Sequence, residues 1–237
     1  MKIVRLDDKC DHCLRCVRDC PTGVWREEEG KAVPAAPEFC IRCGHCLAVC
    51  PNDAIVHDKL DKGQMREVRR DLLNQEVYRE IALARRSVRQ YKQKPVAREI
   101  LERIIALARH SPTASNAQNV EFIVVTDPAL LRFISESVFR SMARAAKLSE
   151  TALGRPLKKV LSKIGRTRTL VNYLNAFRYF AEETAKGRDY ILHHAPALIL
   201  LHGPKNQDNG RDNCLIAAAN VVNYACLLYT SDAADEE

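Results

Sequence analysis

Two stretches near the N-terminus share one spacing of cysteines. Residues 10–21 are CDHCLRCVRDCP, and residues 40–51 are CIRCGHCLAVCP. Each is a C-x2-C-x2-C-x3-C-P run, in which three thiols lie three residues apart and a fourth follows with a proline behind it. Three thiolates at this spacing can wrap a tight loop around one face of a metal cluster. The doubled run therefore predicts two metal clusters in the N-terminal region.

The doubled run resembles that of the bacterial ferredoxin domain with two [4Fe–4S] clusters. In that family the chain leaves a cluster before it reaches the fourth cysteine, which therefore binds the other cluster. The resemblance implies two ligand sets: Cys10, Cys13, Cys16 and Cys50 for the first cluster, and Cys40, Cys43, Cys46 and Cys20 for the second. The two halves also match outside the cysteines, which predicts a pseudo-symmetric duplication over residues 1–58.

Zinc and disulfides are the alternatives for these thiols. Disulfides are not favoured, because the N-terminus does not resemble a signal peptide and thiols of the cytosol stay reduced. A structural zinc site uses one or two separate C-x2-C pairs and has no use for a third cysteine three residues on. His12 and His45 lie beside predicted ligands. Since cysteines already fill every ligand position, we predict that both histidines are surface residues.

The predicted elements divide the chain into two domains. In residues 1–58 we expect a strand in Met1–Leu6, a hairpin in Trp25–Val33 with Gly30 at its turn, and a closing strand in Asp53–His57. Residues 59–66 are expected to be a linker. Beyond it the pattern predicts helices over Glu67–Ala84, Ala97–Arg109 and Asp212–Tyr224, one from Pro128, strands over Val120–Thr126 and Ala197–His202, and a mostly helical stretch over residues 129–189.

Composition excludes several classes of function. Lys and Arg number 37 against 30 Asp and Glu, a formal charge of +7. Two oxidised cubane clusters with their thiolates would lower it to about +3. No dense Lys/Arg stripe with interleaved aromatics is present, so no nucleic-acid partner is expected. The apolar run Ala195–Leu201 is too short to span a membrane, and without a targeting segment we expect a cytoplasmic protein.

Two polar stretches in the second half offer groups that suit an anionic cofactor. Arg85-Arg86-Ser87-x-Arg89 places three guanidinium groups and a hydroxyl close together. Guanidinium forks match the geometry of phosphate oxygens. Pro112–Gln118 supplies hydroxyl, amide and backbone N–H groups, which suit the edge of a flat heteroaromatic ring. Each stretch alone is a weak signal, since Arg pairs often end helices and Ser-Pro-Thr often forms a turn.

In this order the two stretches resemble the nitroreductase family of flavoproteins. The family has Arg-Arg-Ser-x-Arg, then Pro-Val and a helix, then a Pro-Ser-x-x-Asn-x-Gln-like loop and a strand. The matching stretches here are Arg85–Tyr91, Pro95-Val96, and Ser111–Gln118 leading into Phe122. His194-Ala195-Pro196 before a strand and Asp212 at the start of a helix also match. The resemblance covers about residues 75–224.

The resemblance implies an α+β fold with FMN at a homodimer interface. It places FMN phosphate and ring edge against Arg85, Arg86, Ser87 and Arg89. It places the isoalloxazine beside Pro112, Thr113, Ser115, Asn116 and Gln118. The family usually has an aromatic residue after this loop, whereas this chain has Asn119-Val120. We therefore expect a small ferredoxin-type two-cluster domain followed by a nitroreductase-like α+β FMN domain in residues 67–225.

Residues 226–237, CLLYTSDAADEE, depart from the family pattern. The family continues into a Gly-rich turn, a strand and an arm that clasps the partner subunit. The string in this chain resembles a translated sequencing adapter. We expect the native sequence to stop near Ala225, the true protein to be longer, and flavin binding by this chain to be weak. A genuine acidic tail is the alternative, and a stop codon directly after Glu237 in genomic DNA would support it.

Together these features predict an iron–sulfur flavoprotein oxidoreductase. Clusters carry single electrons, and FMN holds one or two, so FMN could reduce a small planar acceptor such as a nitroaromatic or a quinone. The expected donor is a ferredoxin or NAD(P)H. The flavin motifs contain no His, Glu or Cys that requires an acid role, so no catalytic side chain is assigned. The alternatives are an electron-transfer or redox-sensing module without its own substrate, and a specialised reaction such as dehalogenation or ring oxidation.

Overall fold

The computed structural model describes residues 1–161, 163, 168–206 and 209–232. Helices and short strands are mixed along the chain, so the fold is α+β, as predicted. The chain forms two compact units. The first comprises the described residues of Met1–Glu80, Ser111–Asn119 and Pro204–Ile216; the second comprises those of Ile81–His110, Val120–Gly203 and the chain from Ala217 onward.

The cysteine-rich part of the first unit is built from two antiparallel strand pairs. Strand β1 (Ile3–Arg5) pairs with β4 (Ile55–His57), and β2 (Trp25–Glu28) pairs with β3 (Lys31–Pro34). Gly30 has φ 76° at the turn between β2 and β3, a conformation that glycine adopts readily. The predicted first strand, hairpin and closing strand are confirmed.

Two short helices, α1 (Arg15–Asp19) and α2 (His45–Val49), complete this region. They pack with the strands around a small core of Ile3, Val24, Trp25, Ala32, Leu47 and Ile55. Cys16, Cys20, Cys40, Cys46 and Cys50 lie against that core. A core of this size stabilises a fold only weakly, so bound clusters are expected to contribute much of the folding free energy.

Helix α3 (Gln75–Ala84) begins later than Glu67, where the sequence pattern placed its start. The side-chain oxygen of Asn74 accepts hydrogen bonds from the backbone N–H groups of Glu76, at 2.8 Å, and Val77, at 3.4 Å, and so caps the helix there. Leu72 and Leu73 are 64% and 70% exposed, so no packing extends the helix towards residue 67. Short 3₁₀ turns occur at Pro37–Phe39, Lys62–Gln64 and Arg70–Leu72.

In the second unit, strands β5 (Glu121–Val125) and β6 (Leu198–His202) pair antiparallel. Helix α4 (Arg98–Ala108) buries Leu101, Ile104 and Ala108, as its periodicity predicted. Asp127 caps α5 (Pro128–Ser149) by accepting the Ala129 N–H at 2.7 Å. Helices α6 (Gly154–Leu161) and α7 (Arg168–Ala185) pack against α5.

Helix α8 (Gly210–Asp232) extends the predicted Asp212–Tyr224 helix at both ends. Residues 233–237 of the predicted non-native tail lie outside the described residues. Within the described ranges, no helix combines the length and the apolar character needed to cross a bilayer.

Candidate cofactor sites

The eight cysteines of the doubled run surround two cavities. One cavity is lined by Cys10, Cys13, Cys16 and Cys50. The other is lined by Cys20, Cys40, Cys43 and Cys46. These are the two sets in which the fourth cysteine of each run joins the first three of the other. We name them the first cavity and the second cavity.

Both cysteine loops use the left-handed region of backbone space at the same two positions. His12 and Leu14 have φ 57° and 58° in the first loop. Arg42 and Gly44 have φ 55° and 77° at the matching positions of the second loop. Left-handed residues at alternate positions curl the loop so that backbone N–H groups face inward. The Arg42 N–H accordingly lies 3.3 Å from the Cys40 sulfur.

Burial and backbone N–H groups act in opposite directions on the pKa values of these thiols. Burial raises the pKa of Cys16 to about 11 and also raises the pKa of Cys46. Burial acts the same way on Cys20, but the N–H groups of Trp25, Thr22 and Val24 outweigh it and leave the Cys20 pKa lowered. N–H groups directed at sulfur stabilise the thiolates that iron requires.

Trp25 at the start of β2 provides a specific test of this fit. Its side chain is buried and lines the second cavity beside Cys46, whose pKa it lowers against the effect of burial. Its indole N–H nevertheless forms no hydrogen bond of acceptable geometry with any described residue. A buried donor without an acceptor costs about 1–3 kcal/mol. A sulfur-rich cluster in the second cavity would supply the missing acceptor.

His57 at the end of β4 provides a second donor to the same cavity. Its Nδ1 accepts the Lys59 N–H at 3.0 Å, so the proton of the neutral ring lies on Nε2. Nε2 is 3.5 Å from the Cys40 sulfur, which it faces as a donor. Burial is the largest cause of the lowered His57 pKa; Asp58 opposes it and Arg42 adds to it. The ring therefore stays neutral in this pocket.

The two histidines beside the cysteine runs are surface residues, as predicted. His12 is exposed, with Nδ1 3.7 Å from the Cys10 sulfur. The His45 side chain is 60% exposed and lies 3.8 Å from an Asp19 carboxylate oxygen. Among the described residues, no group of three or more His, Cys, Asp and Glu side chains is arranged to hold a single metal ion.

The loop Ser111–Asn119, predicted to flank a flavin ring, belongs to the first unit. It contains the 3₁₀ turn Ala114–Asn116 and left-handed residues Ser115, Asn116 and Gln118. Asn213 of α8 is 1% exposed and fixes this loop. Its Oδ1 accepts the Ala114 N–H at 3.0 Å, and its Nδ2 donates to Asn119 Oδ1 at 3.0 Å.

Asn116 connects this loop to the second cysteine run. Its Nδ2 donates to the carbonyl oxygens of Ile41 and Arg42, both at 2.9 Å. Ile41 lines the second cavity, between ligand candidates Cys40 and Cys43. Within one compact unit, the predicted flavin loop is therefore hydrogen-bonded to the backbone of the predicted cluster loop.

The other residues of this loop have local partners or face solvent. Thr113 Oγ1 accepts the Gln118 N–H at 3.0 Å, and Gln118 donates to Asn116 Oδ1 at 3.3 Å. Pro112 and Ser115 are exposed. Thr113 and Asn116 thus shape the loop, which leaves the exposed residues to contact a ring.

The Arg85–Arg89 segment follows α3 and lies exposed in the second unit. Arg86 donates to the Leu83 carbonyl at 2.5 Å, and Arg89 donates to the Ser87 carbonyl at 3.1 Å. Among the described residues, none of Arg85, Arg86 and Arg89 is paired with a carboxylate.

Arg89 also borders a cavity of about 370 Å³ in the second unit. Aromatic rings of α5 and α7 line it; Phe139 and Phe177 lie with their ring centroids 5.1 Å apart. Tyr190, whose ring lies 5.0 Å from the Arg188 guanidinium carbon, closes another side. Residues 129–189, which carry no recognisable sequence motif, thus contribute an aromatic wall.

Comparisons with known proteins match two different parts of the chain. Residues 82–231 match the model of the nitroreductase family, and residues 2–51 match that of the 4Fe-4S dicluster domain. The chain belongs to the nitroreductase family. Its N-terminal region is a ferredoxin-type dicluster domain, and the predicted fusion is confirmed. These family matches confirm the predicted cofactors, which are two [4Fe–4S] clusters and FMN.

Individual relatives match one region or the other. A ferredoxin of Methanothermococcus thermolithotrophicus is 42% identical over 50 residues, which are 20% of this chain and 83% of that protein. An NADH dehydrogenase of Thermus thermophilus is 41% identical over 58 residues, 24% of this chain, and the chain spans only 28% of its length. A Bacteroides fragilis nitroreductase with bound FMN is 18% identical, with 66% of each chain covered and a TM-score of 0.43.

Sequence reasoning missed Trp25, His57 and Asn213. Alignment of the two repeats could have found the first two, because the halves differ at both positions. Trp25 stands where the other half has Ile55, and His57 stands where the other half has Glu27. Asn213 lies 99 residues from Ala114, its partner, and no local pattern marks it.

Proposed function

We propose that this nitroreductase-family protein is an iron–sulfur flavoprotein oxidoreductase. Cys10, Cys13, Cys16 and Cys50 would hold one [4Fe–4S] cluster, and Cys20, Cys40, Cys43 and Cys46 the other. By the family resemblance, FMN phosphate and ring edge would contact Arg85, Arg86, Ser87 and Arg89, and the isoalloxazine would be flanked by Pro112, Thr113, Ser115, Asn116 and Gln118. The clusters supply one-electron chemistry, and the flavin supplies one- or two-electron chemistry.

One observation carries the proposal: Asn116 donates to both Ile41 and Arg42. It joins the loop that carries the flavin motif to the loop that carries three cluster ligands. Cluster and flavin chemistry need such proximity, since electrons must pass between them within one chain. If the ferredoxin region were only a tethered partner of the flavin domain, no contact between these two loops would be required.

The acceptor is proposed to be a small planar molecule of the nitroaromatic or quinone type. The family resemblance supports this class, and the aromatic wall of Phe139, Phe177 and Tyr190 offers rings on which a flat molecule can stack. A ferredoxin is the proposed donor, with NAD(P)H as the competing one. The homodimer that the resemblance implies is part of the same proposal.

A turnover assay separates this function from a module without its own substrate. The reconstituted protein is mixed anaerobically with reduced ferredoxin or with NAD(P)H, and consumption of nitroaromatics and quinones is followed. Turnover with reduced ferredoxin that is abolished in Cys40→Ala supports the proposal. Turnover with NAD(P)H alone at the same rate in Cys40→Ala contradicts it, because the clusters would then be silent. Electron uptake without any turnover across the panel identifies the relay module.

A further inference from the structure

The two halves of the dicluster region differ in the donors that face their cavities. Trp25 and His57 both line the second cavity with a side-chain N–H. At the repeat-equivalent positions the other half has Ile55, which lines the first cavity without a polar group, and Glu27, which is exposed. The cysteine spacing is symmetric, but the donors around it are not.

Positive charge near the first cavity does not cancel this difference. Arg5 borders that cavity, but its guanidinium donates to Asp7 at 2.8 Å and to the Ala32 carbonyl at 2.5 Å. Asp11 lines the same cavity with a negative charge. Arg15 also lines it, but its side chain is exposed and screened by water. The first cavity therefore has compensated charges, and its largely buried donor, Arg5, already donates to Asp7 and the Ala32 carbonyl.

A hydrogen bond to a cluster sulfur stabilises the reduced cluster more than the oxidised one. Reduction adds one negative charge, and an N–H dipole that points its positive end at the sulfur favours that charge. Trp25 is 2% exposed and His57 5%, so water screens neither dipole effectively. Each donor should raise the reduction potential of the cluster beside it.

We infer that Trp25 and His57 make the second cluster the electron acceptor of the pair. With both clusters bound, one electron would leave the reduced first cluster, which would return to its oxidised state, and the second cluster would take up that electron; no proton would move. The second cluster is the one whose loop, through Ile41 and Arg42, is bonded to Asn116. The asymmetry thus directs electrons towards the flavin loop. This inference rests on the proposed function, since it requires both clusters to be present.

Single-cluster variants of the full chain test the inference. Cys13→Ala keeps only the second cluster, and Cys43→Ala keeps only the first. EPR-monitored redox titration of each then gives one potential. We expect each donor to shift the equilibrium constant for one-electron reduction about tenfold, which corresponds to about 59 mV. The reduction potential of the second cluster should therefore lie about 118 mV above that of the first.

Trp25→Phe in the Cys13→Ala chain removes the indole N–H but keeps an aromatic ring in the core. It should lower the equilibrium constant for reduction of the second cluster about tenfold, which lowers its reduction potential by about 59 mV. His57→Asn is an independent second variant, because its side-chain oxygen can still accept the Lys59 N–H while no donor reaches Cys40. The matched control is His45→Gln, at an exposed histidine on the rim of the same cavity, which should leave the potential unchanged.

The outcomes are distinguishable. A first cluster with a potential equal to or above that of the second overturns the inference, as does a second-cluster potential that neither Trp25→Phe nor His57→Asn lowers. An equal shift of the first cluster, measured with Trp25→Phe in the Cys43→Ala chain, also overturns it, because a general structural effect would then explain the change. Absence of four-iron clusters from the parent chain would overturn the proposed function together with the inference.

Discussion

In the dicluster region, eight thiols lie half-buried around two cavities, whereas Arg85, Arg86 and Arg89 lie exposed, and the guanidinium groups of Arg86 and Arg89 donate to nearby backbone carbonyls. Five of the thiols rest against a core that includes Val24 and Leu47. The difference lies in how each motif obtains its geometry. Cysteine spacing determines a loop that carries its own ligands, while the arginine motif depends on residues elsewhere to complete its site.

The largest effect is expected from pairs of cysteine substitutions. Cys20→Ala should remove the second cluster and lower the iron content from about eight to about four per chain. Adding Cys40→Ala, in the same quartet, should change nothing further, whereas adding Cys10→Ala should remove the remaining iron. Iron and sulfide are measured after anaerobic reconstitution.

Cys214→Ser is the matched control for these pairs, because Cys214 is a half-buried cysteine of α8 outside both quartets. It should keep the full iron content. If the Cys20/Cys10 pair retained about four irons and the Cys20/Cys40 pair lost all of them, the quartets would be assigned the wrong way round.

Asn213→Ala tests how far the predicted flavin loop depends on a distant residue. The substitution removes the acceptor of the Ala114 N–H and the donor to Asn119 Oδ1, and the loss of each hydrogen bond costs about 1–3 kcal/mol. We expect the free energy of unfolding to fall by about 2–6 kcal/mol and amide exchange in residues 111–119 to become faster. Asn172→Ala, at an exposed position of α7, should change neither quantity. A loop whose exchange rate stays unchanged in Asn213→Ala would show that it holds its own shape.

Arg86→Ala tests the exposed motif and should have the smallest effect of the three. Loss of one charge-assisted hydrogen bond to phosphate costs about 1.5–3 kcal/mol, so FMN affinity should fall about 10- to 100-fold relative to the parent sequence. Arg98→Ala is the control, since Arg98 is already paired with Glu102 at 2.6 Å. Flavin fluorescence quenching measures both. Equal affinity of Arg86→Ala and Arg98→Ala would remove Arg86 from the proposed site.

The same contrast explains which parts of the molecule the sequence could predict. The local spacing identifies the eight cysteines, the ferredoxin resemblance implies their division into quartets, and the structure brings those side chains to the expected cavities. The predicted start of α3 was wrong, because helical periodicity in Val68 and Leu72 does not reveal whether other residues pack against that stretch. The Asn74 cap sets the start of the helix instead. The bond from Asn116 to Ile41 crosses 75 residues, and no local pattern encodes it.

Direct analysis of metal, sulfide and flavin in the anaerobically reconstituted chain tests the central claim, that two four-iron clusters serve one flavin domain. The account predicts about eight irons and about eight sulfides per chain, in two clusters that are each lost separately with one cysteine quartet. Zinc at the cysteines, or only about four irons per chain, would contradict it.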